Sequence, residues 1–254
     1  MLPKVSVYDM ADGLRLMLFE NADDKGISGV LRANKVYEPN VQLISSAVLN
    51  QALPKRNLVL DIGANLGSYV LPLAKRFPRL NFLCFEPQPS IYQQLCGNIF
   101  LNGIENASAV YTALGREISS LLLQLPDYTK DHNIGAFSVN ADTHKKLRGD
   151  ANEGRQVSVP LTTLDSLHLE NIALIKVDVE GAELDVLYGG LGTLVRSAYP
   201  PVLYEAWDFD WYRPQKEAIE HFLTDLGYSL LNFDGSYNYL AQHPKHGSAI
   251  AVKS

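Results

Sequence analysis

Three groups of carboxylates decide what chemistry this chain can do. Asp61 opens a glycine turn, Asp61-Ile62-Gly63-Ala64-Asn65-Leu66-Gly67. Glu86, followed by Pro87, closes the next apolar run. Asp178, Glu180 and Glu183 lie together in Ile175-Lys176-Val177-Asp178-Val179-Glu180-Gly181-Ala182-Glu183. Glycines in such a turn let a ligand approach the backbone closely. A dinucleotide would ask for G-x-G-x-x-G, with helix-terminal amides holding its pyrophosphate. Here Asn65 stands in place of the middle glycine, and the spacing is G-x-x-x-G after an acid. That suits a ligand with an amino group and a sulfonium instead of phosphates, since Asp61 adds negative charge near the ammonium. A strand-end carboxylate such as Glu86 can accept hydrogen bonds from both hydroxyls of a ribose. The pattern fits S-adenosyl-L-methionine. A nicotinamide cofactor is the competing ligand, and a turn that merely starts a helix would need none.

Asp178 and Glu180 are expected to face the same cleft, because their strand should neighbour the first. Acids in a first helical turn also favour the helix dipole without any function, and Glu183 is open to that reading. Lys176, inside an apolar strand, needs a carboxylate partner. If the sulfonium's methyl group were passed to a hydroxyl, a base would help, worth ~10²–10⁴ in rate. Asp178 or Glu180 is the candidate, with His132 as an outside one. The same oxygens would suit Mg²⁺, but no metal site is assigned.

These residues need a scaffold. Leu58–Ile62, Leu80–Phe85, Ala107–Thr112, Ile172–Asp178 and Pro201–Glu205 read as strands. Helical stripes lie between them: Val70, Leu71, Ala74 and Phe77, then Ile91, Leu95 and Ile99, then Ala182–Tyr188. Pro72 predicts a kink or a short first turn, and Ser90 with Gln93 predicts a capping box. Alternating strand and helix implies a parallel sheet covered on both faces. Residues 1–53 form a preface: a hairpin of Val5–Met10 and Leu14–Phe19 around Asp12-Gly13, then a helix from Pro39. Residues 116–165 are too many for one loop and read as an insertion with strands at Ser119–Leu125, Ala136–Asn140 and Gln156–Leu161. Pro214 and Gly227 bracket another helix. Tyr228–Phe233 and Ser236–Ala241 flank an Asp-Gly turn, and Ser248–Val252 reads as a final strand.

The 254 residues are 46% hydrophobic and 20% charged, with 22 Lys and Arg against 28 Asp and Glu, a net charge of −6. These are the proportions of an ordinary globular chain, read here as one domain over 1–254. The acidic balance argues against nucleic acid and against an anionic membrane. No run approaches the ~18 apolar residues of a membrane span. Met1–Asp9 lacks the apolar stretch of a secretion signal, and Cys84 and Cys96 cannot build a disulfide framework. The expectation is a cytoplasmic protein.

Asp61–Gly67, Phe85-Glu86-Pro87, Leu95-x-x-Asn98 with Leu101-Asn102, Thr163-Leu164-Asp165, Ile175–Glu183, Tyr204-Glu205 and Asn238–Ala241 together resemble the FkbM family of S-adenosylmethionine-dependent methyltransferases. The likeness runs over roughly residues 38–243. It implies a class I, Rossmann-like α/β fold: a seven-stranded, mostly parallel sheet whose C-terminal hairpin brings in one antiparallel strand. It also implies O-methylation of a small-molecule hydroxyl, on a sugar, glycoside or polyketide-like product. Carried over by residue, it gives Asp61, Gly63, Ala64, Asn65 and Gly67 to the methionine end of the cofactor and Glu86 with Pro87 to the ribose. Thr112 and Ala113 go to the adenine, and Asp178, Glu180 and Glu183 match the family's acidic signature beside the reacting centre, with Asp178 and Glu180 counted among the cofactor-binding residues as well. Asn133-Ile134-Gly135-Ala136-Phe137-Ser138 resembles the family's N-x-G loop. Gly189-Gly190 departs from the single glycine usual there. On the acceptor side the expected residues are Glu38, Asn133, Ser138, Glu183, Glu205 and Trp207. The other readings are a nicotinamide-dependent oxidoreductase and a cofactor-binding module without turnover.

Overall fold

The computed structural model of the chain describes residues 4–20, 26–125, 146, 155–233 and 235–246. The apolar runs become β3 (Leu58–Ile62), β4 (Asn81–Phe85), β5 (Ala107–Val110), β9 (Ile172–Val177) and β10 (Val202–Glu205). Two later strands, β11 (Ser229–Asn232) and β12 (Asn238–Gln242), complete a seven-stranded sheet of order β11-β12-β10-β9-β3-β4-β5. Only β12 runs antiparallel to its neighbours; the pairs β10/β9, β9/β3, β3/β4 and β4/β5 are parallel. All six residues of β9 are buried, as expected of a strand covered on both faces. The chain leaves β3 toward β4 and β5 on one side, while β9 and β10 lie on the other. That is a topological switch point, where open α/β sheets form a crevice beyond their strand ends.

Side-chain alternation sends Val59, Phe82 and Cys84 into one core, with α2 (Pro39–Asn50), α3 (Val70–Arg76) and α4 (Pro89–Leu101). Leu60, Phe85 and Val177 enter a second core with α5 (Glu183–Tyr188), α6 (Leu191–Arg196) and α7 (Arg213–Asp225). The preface is a hairpin of β1 (Val5–Asp9) and β2 (Arg15–Phe19), followed by the unanticipated helix α1 (Ile27–Arg32). Buried Asn98 ties the hairpin to the glycine turn. Its Oδ1 accepts from Met17 N at 2.7 Å and its Nδ2 donates to Leu66 O at 2.9 Å. One turn on, the Asn102 side chain exchanges two bonds with the Arg15 backbone.

Several local expectations need correction. Ser90 caps nothing: α4 starts at Pro89 behind Gln88, with no side-chain cap bond, because proline's fixed φ already suits a first helical position. Pro72 sits in the first turn of α3, where its missing N–H costs no intrahelical bond. The Gly189-Gly190 pair separates α5 from α6. A Cβ on Gly189 would lie 1.9 Å from the Gly115 carbonyl oxygen, so two backbones touch there. The following helix is secured by Asp165, whose carboxylate accepts from Gly192 N at 2.9 Å, Thr193 N at 2.6 Å and Thr193 Oγ1 at 2.8 Å.

Within the expected insertion, β7 (Ser119–Gln124) and β8 (Gln156–Thr162) pair antiparallel, and β6 (Ala113–Leu114) joins β8 in parallel. The strands expected at 136–140 and 248–252 lie outside the described residues. No helix among the described residues is long and apolar enough to cross a membrane.

Candidate active site

The crevice at the switch point is a cavity of about 190 Å³, lined from both sides of β3. From the glycine turn come Gly63, Ala64 and Asn65, from the end of β4 Glu86, Pro87 and Gln88, and from the β5–β6 link Thr112 and Ala113. The loop after β9 brings Asp178, Val179 and Glu180. Glu38, Tyr37, Tyr69, Lys176 and Glu205 close the wall.

The turn is built by close approach. Gly63 has φ +84°, and a Cβ there would lie 1.8 Å from the Asp178 carbonyl oxygen. Gly63 N and Ala64 N both donate to Phe85 O at 3.0 Å, and Asp178 N donates to Ile62 O at 2.9 Å, so three strand ends are stitched together. Glu86 accepts from Asn65 N at 3.0 Å and Gln88 N at 2.8 Å. Burial raises its carboxyl to about 7 against those bonds, which favour the charged form. Three non-glycine residues with positive φ line this one cavity: Glu38 (46°), Asn65 (51°) and Glu180 (54°). Such backbone costs about 1–3 kcal/mol per residue and concentrates at functional sites.

Lys176 finds the partners it needed. Its Nζ lies 2.8 Å from Asp178 Oδ2 and 4.0 Å from Asp61 Oδ1, 5.1 Å from the centre of the Tyr69 ring. Burial pulls the ammonium down, but Asp178, Asp61 and Glu38 outweigh it and hold the group protonated. Asp61 itself is fully buried, has no hydrogen-bond partner among the described residues, and does not line the cavity. Burial raises its carboxyl to about 6 despite Lys176. It acts on the cleft through Lys176 and the turn it starts.

Glu183 does not reach the cavity, contrary to its expected place on the acceptor side. Its buried carboxylate accepts from Val179 N and Gly181 N, each at 3.1 Å, and from Tyr212 Oη at 2.9 Å. It clamps the loop that presents Glu180. Trp207 is likewise displaced from its expected role. Its ring is buried 4.7 Å from the Tyr212 centroid, inside the second core, because the loop after β10 turns it inward. Gly67, with φ +96°, shapes the turn from behind, against Leu71 and Leu95, and does not line the cavity. His132, Asn133 and Ser138 lie outside the described residues. Tyr37, Tyr69 and Gln88 line the cavity without having been anticipated; no short motif marks them.

Among the described residues, five acidic side chains and one ammonium line the cavity: Glu38, Glu86, Asp178, Glu180 and Glu205 against Lys176. A pyrophosphate would bring further negative charge into this field, which disfavours a nicotinamide dinucleotide. A cationic sulfonium with an ammonium and a ribose fits the donor set: Glu86 for the diol and acids for the positive centre.

Comparison with known proteins agrees. The model of the methyltransferase FkbM domain matches residues 61–230. Methyltransferase sdnD of Sordaria araneosa is 30% identical over 203 residues, covering 70% of this chain and 76% of that protein. Methyltransferase 1 of Beauveria bassiana is 32% identical over 149 residues, 54% of this chain, and the match spans only 59% of that relative's length. Among solved structures, a precorrin-6y C5,15-methyltransferase from Geobacter metallireducens aligns with a TM-score of 0.47 at 14% identity, over 82% of this chain and 91% of its own. The chain belongs to the FkbM family of S-adenosyl-L-methionine-dependent methyltransferases.

Proposed function

We propose that this methyltransferase methylates a hydroxyl of a small molecule, a sugar, glycoside or polyketide-like product, in the cytoplasm. One observation carries the reading: Asp178 and Glu180 stand on the loop after β9, in the same cavity as the glycine turn and Glu86. Bound S-adenosyl-L-methionine would supply a methyl group on an already activated sulfonium. The chain's own work is then to hold the acceptor oxygen in line and take its proton. Positioning alone can supply ~7–11 kcal/mol. Asp178, anchored by Lys176, and Glu180, held by the clamp of Glu183, are the candidate bases. Nucleic acid is disfavoured as acceptor, because a phosphate backbone would meet a net −6 chain and an acid-lined cavity.

The test is Asp178→Asn and Glu180→Gln, made singly and assayed for methyl transfer to a panel of hydroxyl acceptors. One of them is expected to lower kcat at saturating S-adenosyl-L-methionine by ~10²–10⁴, a loss separate from any weakening of cofactor affinity. Near-normal kcat in both removes the base from the mechanism.

Cofactor binding should also depend on pH through Glu86. Ribose hydroxyls need the ionised carboxylate as acceptor, and the group titrates at about 7. Below that pH a proton must leave first, so the apparent Kd should rise toward ~tenfold per pH unit and level off above it. Calorimetry at pH 5.5 to 8.5 reads this directly, the range being about 1.5 units either side of that midpoint. A flat profile in wild type, or the same slope in Glu86→Gln, refutes the assignment.

A further inference from the structure

A second, more open cleft of about 300 Å³ adjoins the first. Its lining is Glu38, Pro39, Asn40, Glu205, Ser236, Tyr237 and Asn238, so Glu38 and Glu205 belong to both cavities and form the neck between them. The outer walls come from distant parts of the chain, the start of α2 and the turn leading into β12. The register Glu205↔Asn238 fixes one wall to the neck. We propose that this outer cleft binds the remote part of an extended acceptor, a neutral polyhydroxylated ring, while the hydroxyl to be methylated passes between Glu38 and Glu205 into the inner cavity. The proposal rests on the reading of the inner cavity as a hydroxyl-methylating site.

Three features support it. Among the described residues the outer lining holds no cation; beyond Glu38 and Glu205 its polar groups are the amides of Asn40 and Asn238 and the hydroxyls of Ser236 and Tyr237, the donors and acceptors that a ring of hydroxyls needs. Tyr237 offers an aromatic face. It is 37% exposed and lies 6.0 Å from the ring of Phe209, itself 40% exposed, so the two leave apolar surface open beside the polar groups. Sugars present this same alternation of apolar face and polar edge. The neck also sets the sign of the charge. Burial, together with Asp178, Glu180, Glu183 and Glu38, raises Glu205 to about 9, so at neutral pH it holds a proton that it can donate to an acceptor oxygen. An anionic acceptor would be repelled by the carboxylates around it, whereas a neutral one is not.

The test is saturation-transfer NMR on the S-adenosylhomocysteine complex, with methyl glycosides of one ring and of two rings as probes. Methyl transfer to the same probes is followed in parallel by mass spectrometry. Two-ring probes should bind more tightly than one-ring probes. Tyr237→Ala should erase that advantage, a loss of roughly three- to tenfold, while leaving cofactor affinity unchanged, and Tyr237→Phe should retain it. Equal affinity for one and two rings, equal binding by wild type and Tyr237→Ala, or no binding across the panel each overturns the outer subsite. A two-ring probe that binds through Tyr237 but is never methylated leaves the subsite standing and defeats the hydroxyl-methylation reading.

Discussion

Replacing Gly63 with alanine is expected to weaken S-adenosyl-L-methionine binding at least tenfold and to lower the melting temperature. A Cβ at this position would lie 1.8 Å from the Asp178 carbonyl oxygen and 2.8 Å from its carbon. Neither is a flexible group that can swing aside. The peptide they belong to is fixed by Val179 N donating to the Glu183 carboxylate, and the peptide before it by Asp178 N donating to Ile62 O. Relief requires β3 and the loop after β9 to part, which moves Asp178 and Glu180 away from the turn. The positive φ of +84° adds left-handed strain of about 1–3 kcal/mol, and ~1.4 kcal/mol already equals tenfold in affinity. Gly67→Ala is the informative contrast. It carries similar strain at φ +96°, but the atoms nearest its Cβ would be side-chain carbons of Leu71 and Leu95, at 2.9–3.0 Å. Its effect on cofactor affinity should therefore be clearly smaller. Calorimetric Kd values and melting curves for both variants decide the matter. Equal losses would show that strain, and not the strand-to-strand contact, governs the turn.

That contact also explains how much of the site the sequence could reveal. Gly63–Asn65 and Glu86 are legible because a strand-turn-helix unit is local: apolar run, glycine, helical stripe. Their placement on adjacent strands then follows from β-α alternation alone. Asp178 and Glu180 were legible for the same reason, once their strand was placed beside the first. Glu183 was not, because first-turn acids favour a helix whatever else they touch, and only the fold brings Val179 N, Gly181 N and Tyr212 Oη to its carboxylate. Trp207 is not placed by sequence alone, because the aromatic-and-acid stretch Trp207–Trp211 would look the same on a surface as at the rim of a core. Helix α1 is only six residues long, too short to show periodicity, and α6, the helix expected after Gly189-Gly190, depends on Asp165 from another element. Asn98 and Asn102 stood out only through family likeness. Their work, holding β2 across the glycine turn, is contact between segments some eighty residues apart. The neck of Glu38 and Glu205 is similarly non-local, made where a helix start meets a strand end.

The buried ammonium should prove the most sensitive point of the scaffold. Lys176→Met is expected to destabilise the protein by ~3–5 kcal/mol, since removing one partner of a buried pair leaves the other charge uncompensated. For a chain of this size that is a fall in melting temperature of roughly 10 °C. The charge left behind is Asp61, fully buried and without a hydrogen-bond donor among the described residues, with Asp178 losing its 2.8 Å partner at the same time. The sign of the pH dependence follows. In the wild type, burial raises Asp61 from 3.8 to about 6, so its ionised form costs stability above that pH, and the cost fades as pH falls toward 3.8. Without Lys176 the carboxyl moves further up, and the window in which acid relieves the protein widens toward neutrality. The stability gap between variant and wild type should therefore be largest above pH 7 and shrink as pH is lowered. Asp61→Asn in the Lys176→Met background should recover part of the loss at pH 8, because an amide needs no counter-charge. Denaturation midpoints at pH 5 and pH 8 for the three proteins test the argument. A pH-independent gap, or no recovery in the double variant, would mean that Lys176 stabilises the fold through packing of its aliphatic stem and not through its charge.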